Sequence, residues 1–96
     1  MGRKTIEVPA DTSEKASRPE RLVLNSTPVS NPEIFALRSN TAAIWVGSQY
    51  DVSADPGMEM GVDLVAGESC TPPASDLRDI WIAGTVDGEG VTWYGP

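Results

Sequence analysis

The sequence predicts an all-β protein: a small β-sandwich or barrel of six to seven short, mainly antiparallel strands with an extended N-terminal arm. Two observations carry the prediction. Three blocks share one build, a few β-formers around a single tryptophan with glycine at an end: Thr41 to Gly47, Asp79 to Gly84 and Gly90 to Gly95. Turn chemistry such as Asn31-Pro32, Pro56-Gly57 and Asp87-Gly88 punctuates the chain between these blocks at short intervals. With 96 residues the chain makes one domain at most, burying roughly 60–65% of the surface that it exposes when unfolded.

Residues 1–21 read as an extended or disordered arm. They are mostly charged residues, Ser, Thr, Ala and Pro, with only Ile6 and Val8 as strand formers. The functional expectation for this arm is partner binding, with Thr5, Ile6, Glu7 and Val8 adding a strand to an exposed sheet edge and Pro9 and Pro19 keeping it extended. Residues 22–96 are expected to form a single β-domain that begins at Leu22-Val23-Leu24. Glu33 to Arg38 reads as a strand that pairs antiparallel with the next one across Ser39-Asn40-Thr41, with Phe35 and Leu37 on one side and Ile34 and Ala36 on the other. The Thr41–Gly47 block is too short for an ordinary helix and is bounded by turn residues, so it is the expected central strand.

Beyond it, Gln49 to Gly57 reads as a loop, and Met60, Val62 and Leu64 fall on one side of an extended segment. Ser69-Cys70-Thr71 is a short strand stopped by Pro72-Pro73. The segment Thr85 to Gly90 is expected to be a hairpin connection, because Asp87-Gly88 supplies the positive φ of a tight turn. Alternation places Ile44 and Val46 opposite Trp45, and Ile80 and Ile82 opposite Trp81. Both faces of these strands are apolar, so one serves the core and the other needs a cover from a second sheet or a neighbour.

Charge and residue content narrow the function classes. The net charge of −7 divides into +1 for residues 1–24 and −8 for residues 25–96, and a body this acidic is a poor partner for nucleic acid. No apolar run approaches the ~20 residues of a membrane span and the N-terminus lacks the h-region of a signal peptide, so a cytosolic site of synthesis and no membrane contact are expected. Histidine is absent, which leaves Ser53, Ser69 and Ser75 without an activating base, and none lies in G-x-S-x-G. No catalytic residue, cofactor or metal site is expected. Asp51, Asp55 and Glu59 lack the spacing of a calcium loop and read as a solvated acidic loop. The single cysteine, Cys70, cannot close an internal disulfide and reads as a small packing residue with a raised thiol pKa. Trp45, Tyr50, Trp81, Trp93 and Tyr94 are assigned to packing or an interface, against the alternative of stacking sugars or bases.

Residues Asn40 to Gly95 resemble the small β-domains of tailed-bacteriophage virion proteins. The resemblance is carried by Ile44-Trp45-Val46-Gly47, Asp51-Val52-Ser53, Gly57 with Met60, Ala66-Gly67-Glu68-Ser69, Leu77 to Ala83 as L-R-D-I-W-I-A, and Val91-Thr92-Trp93. The chain departs from the pattern in the extra residues Gly61-Val62-Asp63. The resemblance implies a head-decoration (cement) protein, a structural component of the capsid surface that is made in the host cytoplasm. The implied partner is the major capsid protein, and the implied state is a homo-oligomer, with a trimer favoured. The alternative is a receptor- or glycan-binding or structural module of a phage fibre or tail.

Overall fold

The computed structural model describes residues 2–9 and 15–94. Residues 10–14 of the expected arm, and Gly95 of the expected last strand, lie outside the described residues. The described residues form eight strands: β1 (Gly2–Thr5), β2 (Glu20–Arg21), β3 (Glu33–Ala36), β4 (Ile44–Gly47), β5 (Val62–Leu64), β6 (Ser69–Cys70), β7 (Trp81–Gly84) and β8 (Gly90–Tyr94). They form two four-stranded sheets ordered β1-β8-β3-β6 and β2-β7-β4-β5. Every pair within them is antiparallel. The fold is all-β and consistent with a small sandwich, with a single 3₁₀ turn at Leu77–Asp79 before β7.

Period-two alternation builds the core. Ile34 and Ala36 of β3 and Val91 and Trp93 of β8 point inward from the first sheet, and Ile44, Val46, Leu64 and Ile82 face them from the second. Ile34, Ile44, Ile82 and Val91 are fully buried, and stabilise the fold by about 1.5–3 kcal/mol each relative to exposure. The expected split in β3 holds, with Phe35 and Leu37 half-buried on the outer side.

Two expectations about connectivity are corrected. β3 and β4 do not form a hairpin: β3 lies in the first sheet and β4 in the second. β7 and β8 also belong to different sheets, so Thr85–Glu89 is a crossover, although Asp87-Gly88 does make the predicted turn, with Gly88 at φ +84°. A turn signal fixes chain reversal but not the sheet that the next strand joins; β4 and β7 pair with each other instead of with their chain neighbours. In the segment Leu22-Val23-Leu24, Leu22 enters the core after β2 and Leu24 is exposed.

The boundary drawn at residue 21 is not a boundary in the fold. β1 pairs with β8 in the register Gly2↔Trp93 to Thr5↔Gly90. Ile6, 1% exposed, is part of the core. Its N–H donates to the Glu89 carbonyl at 2.9 Å and its carbonyl accepts from Gly88 N–H at 3.0 Å. Gly90 permits this closeness, since a Cβ there would run into the Lys4 carbonyl. Further on, Ser17 exchanges two hydrogen bonds with Gly84, and β2 pairs with β7.

Candidate functional site

The expected strand-adding arm residues are already engaged. Thr5 lies in β1, Ile6 is core, Glu7 N–H donates to the Glu20 carboxylate at 2.9 Å, and Val8 N–H donates to Asp87 Oδ1 at 3.0 Å. Strand addition is made inside the molecule, by Gly2–Thr5 on the edge of β8, with only Thr5 of residues 5–8 lying in the paired strand, so these residues do not form a free docking strand. The reason is apolar burial: Ile6 is fully buried in the chain's own core and Val8 packs against that core.

The five singled-out aromatics occupy three settings. Trp93 is core, capped by Gly2, where a Cβ would collide with its ring. Trp45 and Trp81 are half-buried on the outer face of the second sheet, beneath Ala16, Val52 and Ala54. Arg21 stands over the Trp81 ring at 5.1 Å, a favourable cation–π contact. The second apolar face of β4 and β7 is therefore covered by this chain itself. Tyr50 and Tyr94 are exposed, 82% and 57%, and Tyr94 makes an edge-to-face contact with Phe35 at 5.7 Å.

The two ends of the sandwich differ in how they are finished. At one end, the β3–β4 and β7–β8 crossovers are tied together by side chains. Asn40 donates to the Gly90 carbonyl at 2.8 Å and accepts from Gly90 N–H at 3.1 Å. The buried Glu89 carboxylate accepts from Thr41 N–H, from Thr41 Oγ1 at 2.8 Å and from Ala42 N–H at 3.1 Å. Burial acts to raise the Glu89 pKa, but these three bonds outweigh it and hold the carboxyl below its usual range. In the sequence Asn40 and Glu89 read as turn residues, and the signal for their role is that they are polar next to apolar strands.

At the other end the sheets part. A cleft of about 560 Å³ opens there between the second sheet (Val46, Gly47, Val62) and the segment from Cys70 to Ser75, with Ile80 alongside. Val46 and Ile80 are core residues, so the cleft is an unfilled continuation of the core, and Ser48, Asp51 and Asp79 also line it. Gly61 enters β5 at φ +104°, and a Cβ there would meet the Val46 carbonyl at 2.8 Å. Burial raises the Cys70 thiol pKa. Near the cleft, Asp76 Oδ1 accepts from Thr27 N–H and Arg78 N–H at 2.8 and 2.9 Å and Ser26 donates to Oδ2, which lowers its pKa to about 2.

Around β5 lies a run of exposed apolar side chains: Tyr50, Met58, Met60, Val62 and Val65. Asp51, Asp55, Glu59, Asp63 and Glu68, all exposed, alternate with them. No lysine or arginine occurs between Arg38 and Arg78. Among the described residues no group of three or more His, Cys, Asp or Glu side chains is placed to hold a metal ion. The region instead has the make-up of a protein-interaction surface, apolar residues rimmed by charge. In comparisons with known proteins, no family model, curated protein or solved structure matches the chain.

Proposed function

We propose that the protein is a bacteriophage capsid decoration (cement) protein, which binds the outer surface of the head and stabilises it by bridging subunits of the major capsid protein. The observation that carries this reading is the exposed apolar and acidic surface around β5, on a body whose second sheet has the outer apolar face of β4 and β7 covered by its own chain. Such a body offers a block with an adhesive side at β5. The family resemblance of Asn40 to Gly95 supplies the particle, and the proposal of a homo-oligomer, a trimer by preference, rests on that resemblance alone.

Bridging adds buried area between shell subunits that internal pressure would otherwise separate. Heads assembled without the protein should therefore lose integrity at lower temperature than complete heads, and the purified protein added back should restore the difference. Equal survival of the two kinds of head under heat and chelators contradicts the reading.

A second reading has one observation in its favour. Half-buried Phe35 and exposed Tyr94 form an aromatic pair beside a groove of about 410 Å³ on the outer face of the first sheet. This is a surface on which a sugar ring can stack, as a fibre or tail receptor-binding module requires. Saccharide-dependent changes at Tyr94 in the free protein would favour it over decoration.

A further inference from the structure

β5 ends its sheet and β6 ends the other, so the cleft opens between two sheet edges. An edge strand presents unpaired backbone groups to any extended chain that approaches. β5 carries no proline and no lysine, its one charge is the acidic Asp63, and it is flanked by exposed Met60 and Val65. Leu64 points into the core, so Val62, two residues away, faces the same interior; it remains 52% exposed because nothing fills the space in front of it.

Charge selects the occupant. Asp51 and Asp79 stand at the cleft, Asp63 lies on β5, and Glu59 and Glu68 lie just before and just after it. A second copy presenting the same face would meet its own charge, and so would nucleic acid. A basic polypeptide gains attraction along the whole stretch.

We propose that β5 and the adjoining cleft bind an extended, basic segment of a protein partner, which adds as a strand to the β5 edge and seats one apolar side chain in the cleft. Backbone pairing supplies orientation, the cleft supplies the anchor, and the acidic rim selects lysine or arginine on either side of it. This deepens the decoration reading by naming the kind of capsid segment the protein takes, and rests on that reading only for where the segment comes from.

The test uses the full-length protein and a seven-residue peptide of alternating lysine and valine with leucine at its centre. Titration followed by backbone amide NMR should shift residues 58–65 and 70–75, with binding weakened at least tenfold by V62D, by D63K, and by exchange of the peptide's lysines for glutamates. Circular dichroism of the two variants separates loss of binding from loss of fold, and both positions are exposed enough to keep it. Shifts confined to the Phe35–Tyr94 face, indifference to V62D and D63K, or concentration-dependent self-association through Val62 would overturn the proposal. Heads that bind V62D as well as the unaltered protein would leave decoration standing and remove the cleft from it. Peptide binding at β5 without any binding to heads would do the reverse.

Discussion

The two ends of this sandwich make different use of polar residues. At the crossover end, Asn40 and Glu89 turn inward and satisfy the backbone of neighbouring loops, so the two connections between the sheets are fastened to one another. At the cleft end, the acidic side chains Asp51, Asp63 and Asp79 face solvent around an unfilled space. A buried polar group that is fully paired fixes structure. Exposed charge beside open apolar surface does little for stability and is free to select a partner. The contrast divides the molecule into an end that holds the fold and the end to which we assign binding.

The largest expected effect comes from removing the N-terminal segment. Deleting residues 1–9 takes away β1, uncovers Trp93 and empties the Ile6 site, and should cost at least the about 2–5 kcal/mol of an isoleucine-to-alanine truncation in a core. Urea denaturation measures it. A truncated protein as stable as the whole would mean that this segment is an appendage after all.

Next in size is the latch at the crossover end. Glu89→Ala leaves the Thr41 and Ala42 donors without their partner and should cost about 1–2 kcal/mol, whereas Asn40 and Gly90 still exchange their bonds. A loss below ~0.5 kcal/mol in thermal unfolding would show that water replaces the carboxylate freely.

Acid should expose both ends. The folded-state pKa of Asp76 is lowered to about 2 from an ordinary 3.8, and that of Glu89 is lowered as well. Each lowered value contributes stability that is present in full above the unfolded pKa and is lost as pH falls through the folded one. Stability should therefore be flat from neutral pH to about 5 and decline between about 4 and 2, with D76N showing a shallower decline. An acid profile unchanged by D76N would remove Asp76 from the account.

The smallest effect on stability is expected at the cleft. Val62→Ser should change unfolding free energy by no more than about 0.5 kcal/mol, since the side chain is half exposed and already lacks packing partners on one side. A larger loss would mean that the cleft end is part of the structural core.

Strand content and inward faces were legible in the sequence because they depend on local alternation: Ile44 and Val46 against Trp45, Ile82 against Trp81, and Ile34 and Ala36 against Phe35. The way strands pair was less legible. Asp87-Gly88 marks a reversal whether the next strand joins the same sheet or crosses to the other. The arm misled because composition shows only Ile6 and Val8, whereas what fixes it is backbone pairing with β8 and the bonds between Ser17 and Gly84. These partners are some 65 to 90 residues away. The candidate surface left a partial trace in the absence of any base between Arg38 and Arg78, but its cleft exists only because the sheets part there.

The most direct measurement of the central claim is competition for heads that lack the protein, comparing V62D with Tyr94→Ala. If the cleft end is the docking end, V62D should bind at least tenfold more weakly than the unaltered protein while Tyr94→Ala binds equally well. Loss of binding in Tyr94→Ala with V62D unaffected would contradict the account and move the docking surface to the outer face of the first sheet.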